Sequence, residues 1–578
     1  MSSKAVFAIS GALGFVVVAF GFPDWQVAVE TAQVTAGIVE YPRGNPFYIY
    51  HLKLWTILHQ VSALLLRAGV SEITLSVVMS GVMGMVTFQA LAMAVYALSR
   101  DGVLAITSVI VIIISNTANI GVAYPIALLG TSHTYGMLGL SLVVLVGALL
   151  GAGEYGMGLF LLGVAPAVHP SMGVWLALIA AVCFALDPRH TRSVVAKSWR
   201  YFAAGCAVSA VSLAVHLAMS DGIPPVPADV SARYLAAFTS FWDGHRQPVA
   251  IDHMGVRLNF GALVLASIGL AVSPAKFLMR FIAVSAVVGI TVVFVSWIPP
   301  DRLPAPLLIL MPARILNVNA MLFTAMVIGL IGGLRGAAWT GWATVVLAAV
   351  LLGGRHSMVW EFLQQRGVDI PPPGLDPIGA LVVAAVLFVV VALFLRWRSR
   401  AVSHAGAARP AIVISAVHVV LTSAVVWVAA GPVRALDEHS TILRDRTNDL
   451  LFRTVARGKG LLLTGGDLHL IQLRTRRPVL LEGGGLDGLA YSLEAAPAMD
   501  RILKDVYGVD LFNPPEEARF RGTVPPEFNR RVWQGYSPDR WREIKAAYNV
   551  TQVLVPSDWA LELPITAQSR RYLLYDIP

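Results

Sequence analysis

Long apolar runs follow one another from residue 6 to residue 430 and then stop. In lipid, every backbone N–H and C=O must be satisfied inside the chain, so such runs fold as helices. They fall at 6–22, 73–98, 103–114, 137–150, 157–168, 172–186, 203–219, 260–272, 277–297, 315–330, 338–352, 378–395 and 411–430. Composition agrees: the 578 residues are 56% hydrophobic and only 13% charged, with a mean hydropathy of +0.69. Soluble domains carry roughly 25% charged residues. The expected fold is a polytopic α-helical membrane protein of about thirteen transmembrane helices. Several runs are shorter than the ~20 residues of a straight span. Short or broken helices are tolerated where their ends line a protein cavity, and the pair flanking His169-Pro170 is the clearest case.

The net charge of +9 requires no nucleic acid, because much of the basic charge lies in short segments between apolar runs. Arg189, Arg192, Lys197 and Arg200 read as one basic loop, and Arg396, Arg398, Arg400 and Arg409 as another. Placing both inside puts the N-terminus inside and the C-terminal region outside, which an odd number of spans allows. The first run follows only Lys4 and lacks a small-residue cleavage site, so it reads as a retained helix. The stretch 54–66 is short and interrupted by His59 and Gln60, and is expected to lie along the membrane surface. If it spans instead, the first loop shortens and His169-Pro170 becomes a kink. The long segments 23–72, 220–259, 299–314 and 353–373 all fall on the outer side, which makes that the working face. Two cysteines inside apolar runs, Cys183 and Cys206, give no disulfide framework.

The chain thus divides into a membrane domain, 1–430, with an external loop at 23–72, and a soluble domain, 431–578. In the latter, Gly460-Leu-Leu-Leu-Thr464 and Pro478-Val-Leu-Leu-Glu482 read as buried strands and 491–504 and 539–548 as helices. Residues 551–556 and 572–576 read as closing strands. Alternating strands and helices imply a small α/β domain.

Ionisable groups at membrane depth are functional candidates by default. Asp24 ends the first run in Pro23-Asp24-Trp25-Gln26. It reads either as a general base poised by a partly apolar setting or as a helix cap. Glu30 and Glu40 carry the same two readings. His169 reads as a phosphate or sugar ligand or as a hydrogen-bonded kink. His133, in Gly130-Thr-Ser-His-Thr-Tyr135, reads as a pocket or a capping residue. Arg314 follows Met311-Pro312-Ala313 at the outer start of a run. It reads as a bidentate phosphate grip or as a snorkelling arginine. The loop 234–257 offers Asp243, His245, Arg246, Asp252, His253 and Arg257, whose spacing matches no tight metal motif. Glu482-Gly-Gly-Gly485 reads as a turn, and Trp533-Gln-Gly-Tyr-Ser537 as a structural aromatic loop.

The order of these features resembles the GT-C superfamily of polyprenyl-phosphate-dependent glycosyltransferases: a first helix ending in an acid, a long external loop, a helix pair broken at His-Pro, a late helix opened by Pro-x-Arg, and a terminal α/β domain. The resemblance implies inverting transfer of a sugar from a polyprenyl-phosphate donor to a hydroxyl on a glycan, lipid or protein acceptor. It implies the external face of a bacterial inner (cytoplasmic) membrane, with the C-terminal domain periplasmic. It assigns Asp24 as the acid of the first loop, Arg314 as the donor-phosphate ligand, and His133 and His169 as pocket residues. Glu30, Glu40 and Arg257 are further substrate-binding candidates. No organic cofactor is implied, and a divalent metal stays open. The superfamily usually pairs two acids at the first site, whereas Trp25 follows Asp24 here, and no Trp-Trp-Asp signature supports asparagine glycosylation. A transporter or flippase of lipid-linked glycans would show inverted repeats and midplane charges. An O-antigen polymerase or ligase would centre on a late loop, and a non-catalytic scaffold would need only the terminal domain.

Overall fold

The computed structural model describes residues 1–115, 121–122, 128–333, 441–445, 449–466, 468–482, 485–490, 492–519 and 522–578. The expected runs at 338–352, 378–395 and 411–430, the loop 353–373, the second basic cluster and the domain boundary at 431 lie outside the described residues.

Helices α1 (Ser3–Gly21), α2 (Val27–Thr35), α3 (Pro46–Lys53), α4 (Ile57–Arg67) and α5 (Glu72–Ser99) open the chain. They are followed by α6 (Gly102–Ser115), α7 (Thr134–Ala152), α8 (Tyr155–Val168), α9 (Pro170–Ala185) and α10 (Pro188–Ser220). Then come α11 (Ala228–Phe241), α12 (Met254–Val272), α13 (Lys276–Val295), α14 (Ala305–Ile309) and α15 (Leu316–Gly333). Among the described residues seven helices are long and apolar enough to cross a membrane, and α4, α8 and α9 are shorter apolar helices.

The α8/α9 break falls at His169, whose backbone is extended (φ −152°, ψ 102°) because Pro170 opens the next helix without an N–H. On α4, Val61, Leu64 and Leu65 face outward while His59 and Gln60 are buried. Gln60 exchanges hydrogen bonds with Ser212 of α10, at 2.9 and 2.7 Å. An outward apolar face suits a helix bordering lipid.

The basic stretch 189–200 is a correction: it is not a loop but the opening turns of the 33-residue α10. Asp187 caps that helix, Pro188 occupies its first turn, and no Pro or Gly-rich breaker follows until Ser220.

Beyond the bundle lies a four-stranded mixed sheet of β1 (Leu461–Thr464), β2 (Val550–Pro556), β3 (Ile565–Gln568) and β4 (Tyr572–Asp576), in the order β1-β2-β4-β3. Only β1 and β2 run parallel. Residues 478–482 do not form the expected strand; a single bridge joins Val479 to Leu462. The other edge of this segment is taken by first-loop side chains. Val479 N–H donates to the Tyr41 hydroxyl at 3.1 Å, and Asn45 Nδ2 donates to the Val479 and Leu480 carbonyls. The helix expected over 491–504 forms five residues later, as Ala496–Tyr507. Trp533 is fully buried among Tyr507, Trp541 and Trp559, as a structural residue should be.

The terminal core is not confined to the terminal segment. Val34, Val39, Tyr41 and Phe47 of the first loop, and Phe238 and Trp242 around the end of α11, pack in one cluster with Leu462, Leu463, Met499 and Val553. The first loop is thereby clamped between bundle and sheet.

Candidate functional site

Two glycines determine how closely the site's helices approach. A Cβ on Gly14 of α1 would stand 2.4 Å from the Gly84 carbonyl of α5, and one on Gly84 would stand 2.4 Å from the Gly14 carbonyl. This backbone-to-backbone crossing brings the end of α1 against α5. Asp24 N–H donates to Ser80 Oγ at 3.1 Å, and Ser80 in turn lies 3.2 Å from the Asp24 carbonyl. The Asp24 side chain accepts from Trp25 N–H at 2.8 Å and from the Thr441 hydroxyl. Asp24 is buried, 8% exposed.

Gln26 ties this segment to the start of α7. Its Nε2 donates to the Thr131 carbonyl at 2.8 Å, and its Oε1 accepts from Thr134 Oγ1 at 2.7 Å. His133 sits in that same turn, exposed, at the N-terminal cap position of α7. Five residues along α7 from Thr134, about 7.5 Å of axial rise, Gly139 lies against the His169 ring; an added Cβ would come within 2.8 Å of it. His169 Nε2 accepts from Arg314 Nη1 at 3.3 Å. That bond leaves the ring proton on Nδ1, which faces Ser171 Oγ at 3.3 Å. Arg314 is buried, 8% exposed, in a tight turn (Pro312–Ile315) entered through Met311 at φ +43°. The segment after Asp24, through Gln26, and His169, which accepts from Arg314, thus both meet α7, with His133 at its cap.

The structure sets the other candidates elsewhere. Glu40 is exposed on the first loop. Arg257 is exposed in the first turn of α12, on which Asn259 Nδ2 donates to the Leu316 carbonyl at 2.9 Å.

Glu30 is buried in a seam between α2 and the terminal unit. Burial, and then the neighbouring Glu482 carboxyl, hold the Glu30 carboxyl well above the usual carboxylate range, against the pull of Arg474 and the Leu473 N–H. Burial raises Glu482 as well, although it accepts from the Leu470 and Ile471 N–H groups at 3.3 and 3.0 Å. Two carboxyls in one dry site oppose each other's ionisation. Gln472 completes the seam: its Nε2 donates to the Glu30 carbonyl at 3.0 Å, and its Oε1 accepts from the Tyr41 hydroxyl at 2.7 Å. His51 meets Thr31 Oγ1 through Nδ1 at 3.0 Å, and burial pushes its pKa down to about 3.

The two groups are joined. Trp25 Nε1 donates to Asp445 Oδ2 at 2.7 Å, and Asp445 pairs with Arg474 at 3.2 Å. Arg474 is the cation that acts on both seam carboxyls. Sequence reasoning missed Asp445, Arg474 and Glu482. The only local signal was an acid directly behind the buried Val479-Leu480-Leu481. Among the described residues no three His, Cys, Asp or Glu side chains are grouped to hold a metal ion.

No family model and no curated protein matches the chain. Its neighbours among solved structures are of ArnT from Cupriavidus metallidurans. The chain is similar to ArnT bound to undecaprenyl phosphate at 13% identity and a TM-score of 0.47, over 100% of this chain and 98% of that one. It is similar to the apo state at 14% identity and a TM-score of 0.43, over 100% and 97%.

Proposed function

We propose that the protein is a GT-C type inverting glycosyltransferase that moves a sugar from a polyprenyl-phosphate donor to a hydroxyl of a glycan, lipid or protein acceptor. The working face is the external face of a bacterial inner membrane, with the domain from 431 on the periplasmic side. The observation that carries this reading is a buried carboxylate and a buried arginine placed through one helix: Gln26 ties the Asp24 segment to the first turn of α7, and His169, which accepts from Arg314, packs on α7 at Gly139.

In this reading Asp24 accepts the proton of the acceptor hydroxyl as its oxygen attacks the anomeric carbon from the face opposite the phosphate. The bond from that carbon to the phosphate oxygen breaks with its electron pair, and the polyprenyl phosphate leaves carrying the charge. Arg314 receives that charge. A guanidinium stays protonated throughout, so it stabilises the leaving group without exchanging protons. His169 orients Arg314 through the 3.3 Å bond. His133 lies beside the acceptor path at the exposed cap of α7, and Glu30 is the buried anchor of the loop.

The test is incubation of the purified protein with a panel of polyprenyl-phosphate sugars. One of them should be consumed by the wild type and not by Asp24→Asn. Consumption of none by the wild type sinks the reading.

A further inference from the structure

We infer a lipid-head site on the side of the Pro312–Ile315 turn away from His169, where the Arg246 guanidinium meets an apolar cleft and takes the phosphodiester head of an anionic membrane lipid. The cleft measures about 440 Å³, its open mouth included, and is lined by Val292, Val295, Leu303, Leu307 and Leu308 with Arg246 among them.

Two bonds of the guanidinium and one of its own backbone hold Arg246 in place. Nη1 pairs with Asp243 Oδ2 at 2.7 Å, Nε donates to the Leu308 carbonyl at 2.7 Å, and the backbone N–H donates to Asp243 Oδ1 at 3.1 Å. The Arg246 side chain is only 4% exposed, yet Nη2 is buried with no hydrogen-bond partner. Buried donors in folded proteins are nearly always paired, because an unmade bond costs about 1–3 kcal/mol. Arg477, equally buried, shows the usual outcome: all three of its guanidinium nitrogens donate to carbonyls or side-chain oxygens. The unpaired Nη2 carries hydrogens only, so it calls for an acceptor, and the charged oxygens of a phosphodiester are strong ones.

The surroundings select a lipid rather than a free anion. Phe294, Trp297, Ile298 and Ile309, at the end of α13 and the end of α14, are each close to half exposed. A tryptophan beside exposed aliphatic side chains at a helix end belongs at the level of lipid headgroups. A tail can therefore continue from the cleft along exposed apolar surface while the head meets Arg246. The site does not depend on the glycosyltransferase reading, since neither Asp24 nor Arg314 contributes to its lining.

The test uses the full-length protein, exchanged against vesicles of equal phosphatidylglycerol and a phosphate-free galactosyl diacylglycerol and then examined by native mass spectrometry. One equivalent of phosphatidylglycerol should be retained in preference to the galactolipid. Leu307→Trp, which fills the cleft, and the double change Asp243→Asn with Arg246→Gln, which removes the charge pair together, should each lower that retention about tenfold or more. Arg314→Ala should leave it unchanged. Equal retention of the two lipids, or retention indifferent to Leu307→Trp, overturns the proposal. So does displacement of the lipid by millimolar inorganic phosphate, because the head alone would then be what is recognised.

Discussion

The α7 group and the seam are both buried and both built on carboxylates, yet they are arranged for opposite purposes. At the first, Asp24 accepts from a backbone N–H and a hydroxyl at a helix end, and Arg314 donates to His169, which packs on α7 at Gly139. In the seam, burial holds Glu30 and Glu482 above the usual carboxylate range against the pull of Arg474, and Glu482 accepts from two backbone N–H groups. A carboxylate meant to take a proton needs its charged form; a pair meant to close an interface is satisfied by losing one charge. Activity should therefore depend on the first group and stability on the second.

The largest expected break is Asp24→Asn. It keeps shape and removes the base, so transfer should fall 10²–10⁴-fold while the melting temperature of the purified protein stays near that of the wild type. A fall in melting with transfer retained would reverse the comparison. In the seam, Glu482→Ala strips the acceptor from two buried N–H groups and should cost about 2–4 kcal/mol of stability, read by denaturant unfolding of the terminal unit. Arg314→Ala should lower kcat/KM roughly 10- to 100-fold. Part of that loss should appear in KM, since the phosphate is bound before and during the reaction; a pure kcat effect would move Arg314 out of donor binding.

The pH dependence sharpens the comparison further. Glu30 is raised from its ordinary 4.5. The seam's contribution is therefore fully present below about pH 4.5 and is lost as pH rises through the pair's folded pKa, at up to ~1.4 kcal/mol per pH unit. His51 works in the other direction: lowered from 6.5 to about 3, it contributes stability above pH 6.5 that is lost as pH falls toward 3. Glu30→Gln should remove the alkaline fall and leave the acid limb, measured by melting across pH. An alkaline fall identical to that of the wild type would show that the raised Glu30 carboxyl does not carry it. The smallest effect is expected at Glu72. Its two oxygens meet Arg476 at 2.6 and 2.8 Å, but the arginine side chain is 60% exposed. Arg476→Ala should therefore cost no more than about 1 kcal/mol in the same melting assay.

The sequence by itself determined the long apolar helices among the described residues, the break at His169-Pro170, the short helix α4, and the strands β1, β2 and β4. Each is written in neighbouring residues: apolar length, a proline without an N–H, an interrupted apolar face, short apolar runs between turn residues. It also marked Asp24, His133, His169 and Arg314, because each stands at a visible boundary of an apolar run. The tertiary structure alone decided that the Asp24 segment and the His169–Arg314 pair both meet α7, through Gln26 at its first turn and the close approach at Gly139. It alone paired Glu30 with Glu482, set Arg474 between them and Asp445, and gave the edge of residues 478–482 to Tyr41 and Asn45 rather than to a strand. Those pairings join residues hundreds of positions apart, and periodicity reports only what a residue's near neighbours require. Which distant polar group satisfies a buried one depends on how the helices cross and on what burial forbids to remain unpaired.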